Sequence, residues 1–530
     1  MRRIAIFLSV LWCGAALAED PPLVIPHFVE ETKSSGIVSV YAGEWQYMVG
    51  GGVASFDCNG DGFPDLLLAG GAGKAKFYRN TSKKGGALHF AQEKSGLELD
   101  HVTGAYALDV DGDGTTDVVL LRVGENVVMR GLGHCKFERA NKQWSFDGGD
   151  AWSTAFAATW EHGSDWPTLA VGNYIDRTHE TDPWGSCTEN WLHRPLSGQK
   201  KFDKPVALKP SFCALSMLFT DWNRSGTPSL RVSNDREYYK GGQEQLWHIE
   251  PGKEPALYTE AEGWKPLKLW GMGIASADLH GSGFPDYFLT SMADHKLQTL
   301  ATVPADGKVA PTFNEIAFAK GVTAHRPSFG DDLRPSTGWH AQFDDVNNDG
   351  LVDLFIAKGN VDRMPDFAMK DPNNLFLQKP DGTFQDVARE AGVASTATSR
   401  GGVLVDLNLD GKLDLVVVNR RENAQVWRNT STDLGHWVQF RLQQPSGNRD
   451  AIGSWIEVKR GDQTLRREIT VGGGHVSGHL GWWHFGLGDV AKTEVQVFWP
   501  DGSKGDWQEV GGDQFYVLEK GKSPLVWAPK

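Results

Sequence analysis

The stretch that decides the fold is Asp345-Val346-Asn347-Asn348-Asp349-Gly350-Leu351-Val352-Asp353. Its pattern, Asp-x-(Asp/Asn)-x-Asp-Gly-x-x-Asp, occurs again at 57–65, 109–117 and 406–414, each time before a short aliphatic run. Oxygen ligands at positions 1, 3, 5 and 9, with a glycine at position 6 for the sharp turn, suit a hard cation such as Ca²⁺. The recurrence at long intervals indicates one supersecondary unit that is used repeatedly.

An EF-hand is the nearest alternative, because it shares the first six positions of the pattern. It requires a glutamate at position 12 and flanking helices. Position 12 is apolar in all four copies, namely Leu68, Leu120, Ile356 and Val417. Short aliphatic runs bounded by turn residues are typical of buried strands, so the EF-hand reading fails.

We predict about four Ca²⁺ sites, with side-chain oxygens from positions 1, 3, 5 and 9 and a backbone carbonyl from position 7. The predicted ligands are Asp57, Asn59, Asp61, Phe63 and Asp65; Asp109, Asp111, Asp113, Thr115 and Asp117; Asp345, Asn347, Asp349, Leu351 and Asp353; and Asp406, Asn408, Asp410, Lys412 and Asp414. A cation would offset repulsion among carboxylates confined to one hairpin. Its predicted role is therefore structural, and no catalytic residue is assigned.

Three further stretches align with these loops but have lost ligands. The stretch 278–286 keeps both terminal aspartates, 221–229 keeps positions 1 and 3 and the glycine, and 160–168 keeps only the proline register. Their ion occupancy stays open at this stage. In chain order the seven loops, first to seventh, start at 57, 109, 160, 221, 278, 345 and 406. Units of this length accommodate a four-stranded blade, which predicts an all-β, seven-bladed β-propeller over 19–432.

After about residue 430 the acidic loops no longer occur, and the residue pattern changes. Segments 437–442, 455–459 and 494–499 alternate apolar and polar residues as half-buried strands do. We therefore predict a small β-rich C-terminal domain at 433–530.

Composition and termini point to an exported protein. After Met1 come two arginines, an apolar run and Ala16-Leu17-Ala18, the three parts of a signal peptide over 1–18. No later stretch has the roughly 20 apolar residues of a membrane span. The net charge of −14, without basic clusters, argues against nucleic acid or an anionic membrane as partner. We expect a periplasmic or secreted product.

Four cysteines remain after the leader: Cys58, Cys135, Cys187 and Cys213. An even number in an exported chain allows two disulfides in three pairings. Proximity in sequence and repeat position favours Cys58 with Cys135 and Cys187 with Cys213, and free buried thiols are the alternative.

Long insertions are the expected place for ligand specificity, because binding residues concentrate on loops over a rigid scaffold. They span 174–213, 325–340 and 360–374, and they include His179, Trp184, Trp191, His193, Arg326, Asp331, Asp332, Arg334, Trp339, Arg363 and Asp366. Such side chains suit sugars or acidic groups. Blade packing is the competing interpretation for most of the aromatic and histidine side chains.

The loops resemble FG-GAP/VCBS propeller repeats. The tail, with Gly-Asn-Arg-Asp-Ala-Ile-Gly at 447–453, Gly-Gly-Gly-His at 472–475 and His-Phe-Gly-Leu-Gly at 484–488, is similar to an ASPIC/UnbV domain. The resemblance implies a secreted calcium-binding propeller of adhesion or interaction type, with an unidentified extracellular protein or glycan as ligand. For His475, His479 and His484, the same tail pattern favours a packing or turn role over a metal cluster.

Two other functions stay open at this stage. One is a lyase-like carbohydrate-active propeller enzyme that uses a divalent ion, and the other is an accessory protein of a secondary-metabolite pathway. The central mouth of the propeller distinguishes the carbohydrate-active enzyme from a binding module. An enzyme would place converging charged side chains around a deep pocket there.

Overall fold

The computed structural model describes residues 23–178, 186–236, 243–303 and 308–529. Strands dominate this part of the chain, and the helices are single turns: α1 Thr32–Ser35, α2 Asn141–Trp144, α3 Ala317–Lys320 and α4 Ala388–Ala391, with 3₁₀ turns at Trp45–Tyr47 and Glu260–Glu262. The all-β prediction is confirmed. The predicted leader at 1–18, and His179 and Trp184, lie outside the described residues.

Within the described ranges, the first twenty-eight strands group into seven antiparallel units of four, and the second and third units are joined into one eight-stranded sheet by pairing of β10 with β7. In chain order the units are β2 Val53–Phe56, β3 Asp65–Leu68, β4 Lys76–Asn80, β5 Phe90–Gln92; β6 Val102–Leu108, β7 Asp117–Gly124, β8 Val127–Gly131, β9 Phe137–Arg139; β10 Ala151–Thr159, β11 Thr168–Asn173, β12 Asn190–His193, β13 Val206–Leu208; β14 Ala214–Thr220, β15 Ser229–Asn234, β16 Gln245–His248, β17 Ala256–Leu257; β18 Gly271–Ala277, β19 Asp286–Ser291, β20 Lys296–Leu300, β21 Phe313–Glu315; β22 Gly338–Asp344, β23 Asp353–Lys358, β24 Asn374–Gln378, β25 Phe384–Asp386; and β26 Ser399–Val405, β27 Asp414–Asn419, β28 Gln425–Asn429 with β1 Phe28–Glu30.

The first strands of successive units are neighbours, and β26 returns to β2, so the units form a closed ring. Backbone hydrogen bonds mark the closure, since Gly401 N–H donates to the Gly51 carbonyl over 3.0 Å and Gly51 N–H donates to that of Thr103 over 2.8 Å. The outer strand of the last unit is β1, which pairs antiparallel with β28. Strands from both ends of the propeller region therefore share one sheet.

Each loop of the sequence pattern joins the first two strands of a unit. The aliphatic run after position 9 becomes the second strand, and in β3 Leu66, Leu67 and Leu68 are fully buried. Even the degenerate stretch at 160–168 joins β10 to β11. The register inferred from the weak copies is therefore correct.

The remaining strands lie in the C-terminal domain. They are β29 His436–Gln443, β30 Trp455–Arg460, β31 Gln463–Glu468, β32 Gly478–Leu480, β33 Trp483–Gly488, β34 Lys492–Phe498, β35 Gln508–Gly511, β36 Gln514–Glu519 and β37 Leu525–Trp527. Eight of them form two sheets, in the orders β33-β29-β36-β37 and β31-β30-β34-β35. The exception, β32, leaves the domain and pairs in parallel with β2 of the propeller.

Residues 471–480, hereafter the channel segment, run through the centre of the ring. Gly473 and Gly474 donate their N–H groups to the carbonyls of Met217 and Ile274, both over 2.6 Å. On other sides, Ala158 N–H donates to the Val471 carbonyl over 3.0 Å and Ala105 N–H donates to that of Val476 over 3.4 Å. The segment therefore replaces solvent along the inner strands, which the sequence did not predict.

Glycines make this fit possible. A Cβ on Gly474, whose φ is +55°, would lie 2.5 Å from Cε1 of His340. One on Gly472, whose φ is +134°, would lie 2.8 Å from the Met217 carbonyl oxygen. Side chains at these positions would collide with the inner strands, so the Gly-Gly-Gly run is required by close approach as well as by backbone conformation.

Two disulfides join Cys58 to Cys135 and Cys187 to Cys213, as the favoured pairing predicts. Among the described residues, no helix has both the length and the apolar character needed to cross a membrane.

Candidate cation loops and their contacts with the C-terminal domain

The aspartate at position 1 organises the turn of each intact loop. In the sixth loop, Asp345 accepts from Asp349 N–H on Oδ1 over 3.2 Å and from Gly350 N–H on Oδ2 over 2.7 Å. The glycine bond recurs in the other loops, as Gly62 to Asp57 at 2.9 Å, Gly114 to Asp109 at 2.8 Å and Gly411 to Asp406 at 2.8 Å. The glycine φ is +81° in the sixth loop, a conformation that disfavours other residues.

The aspartate at position 9 has a second role, which sequence reasoning missed. Asp353 accepts from Val346 N–H on Oδ2 and from Gln378 N–H on Oδ1, each over 3.0 Å. It therefore fastens the loop to the third strand of its sheet. The same paired bonds form at Asp65, Asp117 and Asp414.

Positions 5 and 7 are joined within each loop. The N–H group of Leu351 donates to Oδ1 of Asp349 over 2.8 Å. The equivalent bonds link Phe63 to Asp61, Thr115 to Asp113 and Lys412 to Asp410. Every predicted site residue therefore lies in one of four similar turns at one end of the ring, and the loops do not combine into a single site.

Burial makes negative charge unfavourable in these turns. It raises the pKa of Asp65 to about 8 and those of Asp109 and Asp406 to about 7, and the charges of neighbouring carboxylates add to the effect. The same two causes raise the pKa well above its usual value at Asp117, Asp345, Asp353 and Asp414. A bound cation would reverse this penalty, since opposite charge favours the ionised form.

The second loop brings three of its carboxylates close together. Single oxygens of Asp109, Asp111 and Asp117 lie within 4.8 Å of one another. Arg130 contacts the same loop, at 3.0 Å from Asp111 and 2.9 Å from Asp113. A comparable group at Cys58, Asp65 and Cys135 does not offer thiolates, because the two sulfur atoms form a disulfide.

The seventh loop contains an acceptor with no donor. Asn408 is fully buried, and its Nδ2 donates to the Gly86 carbonyl over 2.8 Å. Its Oδ1 has no hydrogen-bond partner in the described part of the chain. Buried acceptors are rarely left unpaired, so this oxygen, at predicted ligand position 3, fits a cation.

The fifth loop has the same hydrogen-bonded turn as the intact loops, but basic side chains contact its aspartates. Asp278 accepts from Ser282 N–H over 2.8 Å and from Gly283 N–H over 2.9 Å, as in the intact loops. Arg466 of β31 lies 3.2 Å from Asp278, and His280 lies 2.9 Å from Asp286. His280 therefore stands at position 3, where the intact loops carry an oxygen ligand, and Arg466 contacts the position-1 aspartate.

The C-terminal domain contacts the position-1 aspartates directly. Arg441 of β29 is 3.2 Å from Oδ2 of Asp57, and Gln439 Nε2 donates to Oδ2 of Asp406 over 2.7 Å. Together with Arg466, these residues make three of the aspartates acceptors for the domain. The end of the ring that carries the loops is thus an intramolecular interface.

A cavity of about 130 Å³, hereafter the central chamber, remains between the channel segment and the inner strands. Its lining includes Gln342, Asp344, Arg467, His479 and His484. Pockets for substrate-sized ligands occupy roughly 300–1,000 Å³. The chamber is too small to hold a sugar polymer, although charged side chains do converge on it.

The insertions contribute fewer surface groups than predicted. Trp339 is fully buried, with the Arg400 guanidinium 4.1 Å from its ring centroid. His193 is also buried, 4.6 Å from the ring centroid of Phe146. Arg334 remains partly exposed and pairs with Asp332 at 2.6 Å. Packing therefore accounts for Trp339 and His193, which are not available for specificity.

Comparison with known families agrees with this architecture. Residues 57–120 and 345–417 match the FG-GAP-like repeat family, and residues 444–525 match the ASPIC and UnbV family. The chain is therefore a β-propeller protein that carries FG-GAP-like repeats and a C-terminal ASPIC and UnbV domain.

Its curated relatives include cartilage acidic protein 1. The Xenopus tropicalis protein is 28% identical over 214 residues, which cover 39% of this chain and 31% of that protein. The Homo sapiens protein is 25% identical over 169 residues, covering 31% of this chain and 22% of that protein. The aligned region thus spans less than a third of either relative.

Similar solved structures include BBS1N in complex with ARL6DN, with a TM-score of 0.44, 11% identity and coverage of 78% of this chain and 99% of that chain. Saccharomyces cerevisiae Sqt1 has a TM-score of 0.42, 13% identity and coverage of 77% and 99%. Likeness at this level carries no functional information.

Proposed function

We propose that this protein is an exported, non-enzymatic binding module, stabilised by Ca²⁺, that recognises an extracellular protein or glycan. The channel segment is the observation that supports a non-enzymatic function. It fills the centre of the ring, where a propeller enzyme would need a substrate pocket, and leaves a chamber of about 130 Å³.

The intact loops support Ca²⁺ on chemical grounds. Each offers carboxylate oxygens in a tight turn, three of the four add an amide oxygen at position 3, and a position-7 backbone carbonyl would complete the oxygen ligand set that Ca²⁺ prefers. The unpaired Oδ1 of Asn408 and the buried carboxylates around it favour an ion at the seventh loop. Extracellular calcium modules bind with Kd values of about 10⁻⁴ to 10⁻³ M, so occupancy would follow ambient calcium.

Export is supported by the two disulfides, which persist in oxidising compartments. Binding of a partner is assigned to the end of the ring away from the loops, because the C-terminal domain occupies the loop end. The insertions at 325–340 and 360–374 meet there, where Ala368 N–H donates to the Pro335 carbonyl over 2.9 Å.

Calcium titration after removal of divalent ions tests the cation claim. We expect about four ions per chain and a lower melting temperature in EDTA, because the carboxylates then repel one another. Asp349→Asn should remove one ion. Asp381→Asn, in the turn between β24 and β25 of the same unit, should remove none. An unchanged melting curve in EDTA would overturn the structural-ion proposal.

A glycan and protein-ligand array in Ca²⁺, followed by polysaccharide turnover assays, tests the binding claim. We expect a bound ligand and no turnover. Cleavage of any polysaccharide by the purified protein would refute the non-enzymatic assignment.

A further inference from the structure

In three units of the ring, the third strand ends in a residue with a carboxamide side chain. These residues, hereafter the latch residues, are Asn80 of β4, Gln378 of β24 and Asn429 of β28, and all three are buried. The N–H group of each donates to the position-9 aspartate of the loop in its own unit, over 2.8 Å at Asn80, 3.0 Å at Gln378 and 2.9 Å at Asn429. Each latch residue is therefore fixed through its backbone to one predicted ligand.

The side chain of a latch residue extends to the loop of the preceding unit. Asn429 Nδ2 donates to the Val346 carbonyl of the sixth loop over 3.1 Å. Asn80 Nδ2 donates to the Leu407 carbonyl of the seventh loop over 2.8 Å and to the Pro64 carbonyl of the first loop over 2.9 Å. The carbonyls of Val346 and Leu407 belong to position 2, between the predicted ligands at positions 1 and 3. One buried residue therefore bonds to two neighbouring loops.

These contacts connect three intact loops in a row. Asn429 joins the sixth loop to the seventh, and Asn80 joins the seventh to the first, which is its neighbour because the ring is closed. Asn348 of the sixth loop also donates from Nδ2 to the Gly411 carbonyl of the seventh over 3.2 Å. The latch residue of the sixth unit makes a similar contact, over 3.3 Å, with the fifth loop. The fifth loop lacks a full ligand set, so the row of intact loops ends at the sixth.

The second loop is set apart from this row. In its unit the residue equivalent to the latch residues is Gly131, whose N–H donates to Asp117 over 2.7 Å and which has no side chain. The position-2 carbonyl of the first loop, at Cys58, instead accepts from Cys135 N–H over 3.3 Å, and the disulfide joins the same two residues. The contact that holds Asp117 and the contacts that reach the first loop therefore start from different residues.

We propose that the first, sixth and seventh loops bind Ca²⁺ cooperatively through the latch residues, and that the second loop binds its ion independently. The proposal rests on the proposed binding of Ca²⁺ to the intact loops. The unpaired Oδ1 of Asn408 favours an ion at the seventh loop, which is the middle of the row.

The connection between neighbouring loops acts through order. An ion offsets the repulsion among the carboxylates of one loop, including the position-9 aspartate, and so orders the latch residue bonded to that aspartate. The latch side chain holds position 2 of the preceding loop, which then loses less conformational freedom when it binds its own ion. Such coupling is reciprocal and typically changes affinity by about 5- to 150-fold.

Paired ligand substitutions test the proposal by calorimetric titration with Ca²⁺ and by equilibrium dialysis. Asp349→Asn and Asp113→Asn make the same change at position 5 of the sixth and second loops, and each should remove one ion. Asp349→Asn should also weaken binding of at least one remaining ion by about fivefold or more, whereas Asp113→Asn should leave the Kd values of the other ions unchanged. An ionic strength of about 0.15 M, with a Debye length of about 8 Å, limits the opposing repulsion between neighbouring ions.

Latch variants test the route of the coupling. In an Asn429→Ala background, the weakening caused by Asp349→Asn should be at least about twofold smaller, because one of the contacts between the two loops is gone. Asn429→Gln keeps a carboxamide, as Gln378 does in the sixth unit, and should retain the full effect. Asn190→Ala is the matched control, since Asn190 is a buried asparagine of β12 whose Oδ1 accepts from Asn173 N–H over 2.8 Å. It should leave Ca²⁺ binding unchanged.

The outcomes separate this proposal from the proposed function. Equal effects of Asp349→Asn and Asp113→Asn on the remaining ions, in a protein that binds about four ions, would overturn the cooperative arrangement and leave the Ca²⁺ sites in place. Absence of Ca²⁺ binding by the unaltered protein would overturn both. Melting curves in Ca²⁺ report whether the variants fold. If Asn190→Ala weakened binding as much as Asn429→Ala, lost stability would explain the effect and the latch contacts would not.

Discussion

Gln439 of the C-terminal domain donates from Nε2 to Oδ2 of Asp406 over 2.7 Å, and both side chains are buried. The same aspartate accepts from Gly411 N–H on that oxygen and from Asp410 N–H on Oδ1. One carboxylate therefore forms the turn, occupies the first predicted ligand position and holds the neighbouring domain. A cation bound at this loop would therefore be energetically linked to docking of the domain.

Replacing Gln439 tests how much this hydrogen bond contributes to stability. Gln439→Leu removes a donor from a buried carboxylate, which should lower the free energy of unfolding by about 1–3 kcal/mol in denaturant titrations. Gln443→Leu, at an exposed position on the same strand, should change it by less than about 0.5 kcal/mol. Equal effects of the two substitutions would contradict the role given to Gln439.

The fit of the channel segment predicts a severe effect at Gly474. Gly474→Ala adds a Cβ 2.5 Å from a His340 ring atom and should cost about 3 kcal/mol or more. Gly252→Ala has a similar positive φ of +69° but meets no atom within 4 Å, so it should cost only about 1–2 kcal/mol. Thermal unfolding of both variants measures the difference, and near-equal losses would show that backbone strain alone is responsible.

A buried ion pair holds the insertion at 360–374. Lys358 Nζ lies 2.9 Å from Oδ1 of Asp371, and neither side chain is exposed. Asp371→Asn leaves the ammonium without its partner and should cost about 3–5 kcal/mol. Glu509→Gln breaks the exposed pair with Lys492 and should cost less than about 1 kcal/mol. Urea unfolding distinguishes the two outcomes.

The two disulfides should differ in their effects. Cys58–Cys135 spans 77 residues and Cys187–Cys213 spans 26, so loop-closure entropy predicts a loss about 1 kcal/mol larger for the first. Cys58 also occupies position 2 of the first loop, and its N–H donates to Asp65. Replacing the first pair by serines should therefore weaken one Ca²⁺ site, whereas replacing the second pair should not. Loss of an ion from the second variant would contradict this assignment.

Acid should remove the contribution that His295 makes to the stability of the folded protein. Burial lowers the pKa of His295 to about 3, so the folded state keeps this ring neutral while the unfolded chain protonates near pH 6.5. Its contribution is present above pH 6.5 and is lost as pH falls toward 3. Between pH 7 and pH 5 the loss is about 2 kcal/mol.

His295→Asn keeps an acceptor for Ser291 N–H, which donates to His295 Nδ1 over 3.2 Å, and removes the titration. The variant should lose about 2 kcal/mol less than the unaltered protein between pH 7 and pH 5. Parallel pH profiles of the unfolding free energy would show that His295 does not titrate in this way.

The local residue pattern was sufficient to predict the repeated units of the ring. Position 6 glycines and the aliphatic runs lie within a few residues of each loop, so they identify β3, β7, β23 and β27 directly. The role of Asp353 was not accessible in this way, because its second donor, Gln378, lies on another strand. The channel segment was missed for the same reason, since its hydrogen-bond partners are spread over several sheets.

The order in which contacts can form during biosynthesis follows from two features. One is ring closure by β1, and the other is filling of the channel by residues 471–480. The chain leaves the ribosome from its N-terminus, so β1 can pair only after β28 has been synthesised. The inner strands can bind the channel segment only later, after residues 471–480 have been synthesised. Until then, the inner-strand backbone groups that bond to residues 471–480 lack these partners. The native contacts of the channel can therefore form only after synthesis of the chain is nearly complete.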